Sequence, residues 1–461
     1  MAGTTPDKLA NRILKALVMG IIAGVVTLLL GPWIPLPEAL QSLLATIGLK
    51  STATVLELAR SLSTTVLDPF GRVFLRLLFF VIIPLVFASL ATGVLQLGRP
   101  GKLGPLAGRT FFFFFLNMAI GVALGLVMMN TVQPGDFVDA ATKERLLAEF
   151  GGAAAKHVQA GQNQTGLSLA IIVEMFMPAN LFAAVVGQST ARIGDVLPLI
   201  LFAILVGTAG MTLADEKRRR FQESLEMVTE LMTGIVHFAL RLAPYAVPCL
   251  IYSVVVKSGL DIILALGVFV LGCASVMALH LFGTMSVWLK LWTPWSPRAY
   301  FVAIKDVLVT AFSTSSSNAT LPAALENATE KLKISPSTAG FVLPLGTTMN
   351  MSGTALYEGC VVLFVAQVFG IDLSMGQQVT LLLLSVLSAV AVAGIPGGSL
   401  PLIAGLLITF GIPPEGIGII LGTDRILDMC RTATNVGCDL TTAVVVDELV
   451  KKSEAKAART A

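Results

Sequence analysis

The chain has 461 residues, of which 55% are hydrophobic and only 13% charged, with a formal net charge of +3. With a mean hydropathy of +0.84, this composition excludes an ordinary soluble globule and indicates an integral membrane protein. The five cysteines (Cys249, Cys273, Cys360, Cys430, Cys438) lack metal-type spacing and the histidines pair with no nucleophile, so nothing in them supports an enzyme.

Membrane-crossing helices need roughly 20 apolar residues. Candidate runs lie near 12–30, 72–96, 108–130, 168–210, 222–256, 260–290, 338–370, 377–412 and 415–447. The first follows a basic lead (Lys8, Arg12, Lys15) and has no small-residue cleavage site, so it reads as a retained helix. Basic residues gather at Arg99, Lys102 and Arg109, at 217–220, at Lys290, Arg298 and Lys305, and at Lys451 and Lys452. The excess of basic residues on cytoplasmic loops places those segments and both termini on the cytoplasmic side, and the polar insert 133–165 opposite. Short connections suggest the plasma (inner) membrane of a prokaryote.

After residue 298 the apolar runs are cut by polar islands. Two of them, 315–318 (Ser-Ser-Ser-Asn) and 394–399 (Gly-Ile-Pro-Gly-Gly-Ser), sit between apolar arms too short to span about 30 Å of hydrocarbon. Each pair of arms reads as a re-entrant helical hairpin, the first entering from the cytoplasm and the second from outside. Hairpins of opposite orientation point to inverted repeats of a secondary transporter. Between them, 346–354 (Gly-Thr-Thr-Met-Asn-Met-Ser-Gly-Thr) interrupts an apolar helix. A broken helix frees backbone carbonyls that suit hard cations; the alternative is a kink for close helix packing.

In the last apolar run, Asp424, Asp428, Arg431, Asn435 and Asp439 recur at spacings of three and four, which places them on one helical face. Ionisable groups in hydrocarbon are costly and turn toward protein, water or ligand. The stripe, with half-helix N-termini at the hairpin tips, describes a pocket for a zwitterion with an acidic side chain. The alternative for Arg431 is a structural ion pair to Asp428 or Asp424 with no ligand.

Four ordered strings carry a resemblance: 315–322 (SSSNATLP), 350–354 (NMSGT), 393–398 (AGIPGG) and 428–435 (DMCRTATN). Residues 298–449, and more loosely the whole chain, resemble the glutamate/aspartate and dicarboxylate-amino acid:cation symporter family. The resemblance implies an all-α membrane protein of eight transmembrane helices plus two hairpins, assembled as a homotrimer and working as an elevator. Scaffold helices 1–2 would fill 1–107 and scaffold helices 4–5 would fill 133–258. Helix 3 at 108–132 and the core at 259–452 would move with substrate, and 453–461 would be a cytoplasmic tail.

Carried over by residue, the resemblance implies that Arg431 and Thr354 hold the substrate side-chain carboxylate and Asp428 its amino group. Ser315, Ser317, Thr432, Asn435 and the backbone near Ile395 and Ser399 would hold the rest. One sodium would use Asn435, Asp439 and the carbonyls of Gly346 and Asn350. A second would use carbonyls of Thr348, Ala389, Val390 and Val392, and Met351 would stand among both the substrate and the ion residues. The family's third sodium site departs here. Ser352 replaces its aspartate, and Phe114, Asn117 and Met118 stand where a tyrosine, a threonine and a serine are usual, so two sodium ions are expected rather than three. Ser315 and Met429 occupy positions where relatives often carry an arginine, which leaves Arg431 as the expected only arginine of the pocket.

The function expected is import of aspartate or glutamate coupled to sodium. A proton taken up by Asp424 or Asp439, uncoupled transport of an acidic amino acid or dicarboxylate, and an anion channel or receptor are the alternatives. Membrane lipids surround the protein, and no nucleic-acid partner is expected.

Overall fold

The computed structural model describes residues 6–39, 41–42, 54–96, 104–144, 177, 179–182, 196–390, 392 and 399–460. Among them the protein is 88% helical with no strands, so the all-α expectation holds. The first half contains α1 (Pro6–Leu30), α2 (Val55–Leu62), α3 (Asp68–Phe80), α4 (Ile82–Gln96), α5 (Gly104–Val132), α6 (Val196–Gly210), α7 (Asp215–Ser258), α8 (Asp261–Ala278) and α9 (Met285–Trp292). The second contains α10 (Pro297–Thr314), α11 (Ser317–Glu330), α12 (Pro336–Met349), α13 (Ser352–Val368), α14 (Met375–Val390), α15 (Leu400–Thr409) and α16 (Ile417–Thr460).

Three stretches of described helix are long and apolar enough to cross a membrane: Leu106–Phe137, Asp261–Trp292 and Pro336–Val368. A fourth qualifies if the two arms of α7, which bend by 52° between Val236 and Arg241, form one span. Pro244 in the second arm has no N–H to offer the Leu240 carbonyl, which lies inside that bend. The most apolar window of Pro336–Val368 is 94% buried, against 44% and 39% for the other two. That span is therefore wrapped in protein rather than lipid.

The first expected hairpin is present as a helical turn. α10 ends on Ser315 in the left-handed region (φ 50°, ψ 33°), and Ser316 caps α11 by accepting from Ala319 N at 3.2 Å. Its arms run antiparallel, since Thr314 Oγ1 lies 3.2 Å from Thr320 Oγ1 beside the turn and, farther from it, Asn327 Nδ2 donates to Ala303 O at 2.9 Å. In the second, α14 and α15 supply the arms, and the tip at 393–398 lies outside the described residues.

The interruption of the enclosed span is narrower than the 346–354 run suggests. Gly346 to Met349 stay helical, and only Asn350 (φ −118°, ψ 55°) and Met351 (φ −82°, ψ 57°) leave the helix. A helix start inside a membrane protein must find partners for its free N–H groups. Asn435 of α16 provides them, its Oδ1 accepting from Gly353 N at 2.7 Å and Thr354 N at 3.3 Å. α16 itself is unbroken for 44 residues and continues through the expected tail to Thr460.

Gly353 makes the close approach of α13 and α16 possible. A Cβ there would lie 2.7 Å from Arg431 O and 2.9 Å from the Thr434 Cβ. Gly353→Ala is expected to destabilise the protein by about 1–3 kcal/mol through overpacking, read as a lower unfolding temperature in detergent. An unchanged midpoint would show that the two helices separate freely.

Candidate substrate and cation site

The polar stripe of α16 faces protein. Arg431 is only 1% exposed. Its Nη2 donates to Asp428 Oδ1 at 2.7 Å and to Asp424 Oδ1 at 3.2 Å, while Nη1 donates to Ser399 Oγ at 2.5 Å. The Tyr357 ring of α13 lies 4.3 Å from Cζ, a cation–π distance, and the Tyr357 hydroxyl donates to Asp424 Oδ1 at 3.1 Å. Arg431 Nε has no hydrogen-bond partner among the described residues.

The structure thus makes the ion pairs to Asp428 and Asp424 that the spacing allows. It also corrects the expectation of a single arginine: Arg425 Nη1 reaches Asp428 Oδ2 at 3.6 Å, with side chains 13% and 10% exposed. Position 425 precedes Asp428 by three residues on the same face, a relation that comparison at positions 315 and 429 alone does not reveal. Ser399 takes part through its hydroxyl rather than its backbone. Ile395 lies outside the described residues.

A second group surrounds Asn435. Besides capping α13, its Nδ2 donates to Thr354 Oγ1 at 3.2 Å and to Met351 Sδ at 3.4 Å. Thr354 and Met351 are buried with it. Thr432 turns back on its own helix, donating to Asp428 O at 2.9 Å. Ser315 and Ser317 are buried at the hairpin tip, and the Ser315 hydroxyl has no partner among the described residues.

The third group centres on Asp439. Asn350 Nδ2 donates to Asp439 Oδ1 at 2.8 Å, and a Cβ at Gly346 would stand 2.5 Å from the same oxygen. The carboxylate therefore rests against the bare helical backbone of Gly346 and the side chain of Asn350. One carboxylate with neutral oxygens is a donor set for a hard monovalent cation, so these residues fit a sodium ion. Thr348 turns its hydroxyl to Leu345 O at 3.0 Å. Ala389 and Val390 close α14, where the last carbonyls lack helical partners, and Val392 follows, donating its N–H to Ala389 O at 3.3 Å.

The residues of the departed third site also meet. Asn117 of α5 donates Nδ2–H to Asn350 Oδ1 at 3.0 Å. Phe114 and Met118 bury apolar surface beside it, and Ser352 is fully buried with its hydroxyl against the Cys438 thiol and no nitrogen or oxygen partner among the described residues.

Sequence reasoning missed Glu358. This fully buried carboxylate of α13 contacts Ser388 Oγ of α14 through Oε2, and Oε1 has no partner among the described residues. The signal was present: Glu358 is the only charged residue in a seventeen-residue, largely apolar helix, and buried acids there mark function. Tyr357, its neighbour in sequence, was missed with it.

A guanidinium buried among carboxylates, between a broken helix and a hairpin in a bundle with membrane-length apolar helices, fits a multi-pass membrane transporter of charged solutes. The chain belongs to the Sodium:dicarboxylate symporter family, whose model matches residues 9–449. It is 32% identical over 384 residues to a proton/sodium-glutamate symport protein of Bacillus caldotenax, covering 83% of this chain and 87% of the relative. Identity is 30% over 406 residues to a proton/glutamate-aspartate symporter of Escherichia coli (strain K12), covering 86% and 88%. A C4-dicarboxylate transport protein of Bacillus subtilis (strain 168) is 29% identical over 392 residues, covering 85% and 89%. The protein is thus a symporter of the dicarboxylate and amino-acid class, coupled to a cation.

The contact of Asp439 with Gly346 yields a direct test. Gly346→Ala pushes a methyl group into the carboxylate and is expected to raise the sodium concentration that half-protects purified protein from heat by about tenfold or more, as overpacking of 1–3 kcal/mol implies. Wild-type sodium protection in this variant would rule out a cation site at Asp439.

Proposed function

We propose that the protein imports acidic amino acids, aspartate or glutamate, by alternating access coupled to two sodium ions. The observation that carries the substrate class is Arg431, a fully enclosed guanidinium with its Nε donor unpartnered among the described residues. An unmet buried donor costs about 1–3 kcal/mol, and a carboxylate is the ligand whose geometry a guanidinium accepts. The names of the relatives, a glutamate, a glutamate-aspartate and a C4-dicarboxylate transporter, support an anionic substrate of this size.

Asp428, accepting from Arg431 and near Arg425, is the group offered to a substrate ammonium, and its presence favours an amino acid over a simple dicarboxylate. Thr354, Met351, Asn435, Thr432, Ser315, Ser317, Ser399 and Ile395 complete the proposed substrate site. Asp439 with Asn435, Gly346 and Asn350 would hold one sodium. The carbonyls of Thr348, Ala389, Val390 and Val392, with Met351, would hold the second at the negative end of α14. The elevator movement, the homotrimer, the eight-helix division with its two hairpins, and placement in the plasma membrane with both termini cytoplasmic belong to the same reading.

One observation favours protons as a further or alternative coupling ion. Glu358 has no cationic partner among the described residues, whereas Asp424 is already held by Arg431 and Tyr357. A buried carboxyl without a counter-charge is carried across hydrocarbon in its neutral form. Ser388 places it at the contact of α13 with the second hairpin, where movement of that hairpin would expose it.

In proteoliposomes, Arg431→Ala is expected to lower uptake of radiolabelled aspartate and glutamate by about 100-fold or more, the cost of removing one side of a buried charge contact. Unchanged uptake would overturn the substrate assignment. Glu358→Gln is expected to abolish the dependence of uptake on pH while keeping its sodium dependence; a retained pH profile would return proton coupling to another group.

A further inference from the structure

Asn117 occupies the place of a cation ligand and does something chemically opposite to binding a cation. It is fully buried on α5 and donates Nδ2–H to Asn350 Oδ1 at 3.0 Å, while Asn350 in turn donates Nδ2–H to Asp439 Oδ1 at 2.8 Å. The acid end fixes the direction of this relay. With Asp439 ionised, as in the cation-loaded state, its carboxylate only accepts hydrogen bonds, so Asn350 turns its NH2 toward Asp439 and its oxygen toward Asn117. Asn117 must then donate, and reversing its amide would press two oxygens together.

That orientation is kept at a cost. Asn117 Oδ1 and the hydroxyl of nearby Ser352 meet no nitrogen or oxygen partner among the described residues. The thiol of Cys438 stands beside both, and Phe114 and Met118 flank Asn117 on α5. The cluster brings no carboxylate of its own, since Ser352 stands at the aspartate position of the resemblance. Asn350 Oδ1, the oxygen a third cation would seek, is already met by a polarised N–H.

We propose that the Asn117 amide is a built-in substitute for the third cation, holding Asn350, and through it Asp439, in the arrangement that the Asp439 cation site requires. The inference rests on the cation-coupled reading of Asp439 and makes Asn117 a positioning residue, not a ligand. The third site is then replaced rather than merely eroded. Order at the 350–351 break, which an ion would supply on binding, is supplied beforehand by a side chain.

Two variants of the full-length protein test this. Asn117→Ala removes the donor, and the isosteric Asn117→Asp replaces the NH2 by an oxygen, so that only a cation or a proton could bridge to Asn350 Oδ1. Two readouts are used: the sodium concentration that half-protects purified protein from heat, and the sodium and pH dependence of aspartate and glutamate uptake in proteoliposomes. For Asn117→Ala the half-protecting sodium concentration should rise about fivefold, as expected for one lost buried hydrogen bond, with half-saturating sodium for uptake rising in parallel and the maximal rate changing less. For Asn117→Asp the exponent of the sodium or proton dependence should increase by about one. Wild-type half-protection within twofold in Asn117→Ala overturns the proposal, even if Asn117→Asp fails to fold. An unchanged exponent in a folded Asn117→Asp protein overturns it too. Wild-type protein that binds sodium but takes up neither amino acid would instead overturn the transport reading, leaving the heat-protection comparison to decide the role of Asn117.

Discussion

The structure depends on mending one break in the backbone. The enclosed span Pro336–Val368 stops being helical at Asn350 and Met351, where lipid can offer nothing to the freed N–H and carbonyl groups. The mending residue is Asn435, whose side-chain oxygen accepts from Gly353 N and Thr354 N. Because Asn435 belongs to α16, this repair fixes the rotation of that helix. Residues at multiples of about one turn from it then face the break: Arg431 and Asp428 on one side, Asp439 on the other. Gly353 and Gly346 lack side chains where α16 presses closest. Site geometry and helix packing are therefore the same set of contacts.

The charges balance within this frame. Asp424 and Asp428 face Arg431, and Arg425 approaches Asp428 from the preceding turn. Buried ion pairs are weak stability devices because desolvation offsets most of their attraction. On the proposed reading their use lies in exchange: a substrate carboxylate would take over guanidinium donors from Asp424 or Asp428, and a substrate ammonium would take over Asp428, with little change in net buried charge. Tyr357 holds Asp424 and covers the guanidinium face, which keeps the arginine oriented whichever anion it meets.

At Asp439 the balance is struck with neutral groups. Asn350 and Asn117 form a directed amide relay ending on the carboxylate. A dipolar relay supplies positive potential without the desolvation cost of a second buried ion. Glu358 makes no ion pair and accepts no amide hydrogen bond among the described residues, which distinguishes it chemically from the other buried acids of the core.

The sequence alone determined the membrane class, from its hydropathy, and the common face of Asp424, Asp428, Arg431, Asn435 and Asp439, from a spacing that any α-helix converts into a stripe. It also located the first hairpin turn, because Ser315 and Ser316 interrupt arms too short to cross, and it placed the helix break within 346–354. What it could not determine was which neighbour each polar atom meets. That Asn435 serves the α13 N-terminus, that Tyr357 caps Arg431 and that Glu358 meets Ser388 all depend on how α13, α14 and α16 are rotated against one another. Two of the glycines at those contacts, Gly346 and Gly353, could be seen in the string, but their partners could not. Periodicity is local and survives in the order of residues, whereas the pairing of faces is set by packing between segments tens to hundreds of residues apart, and only the folded chain resolves it.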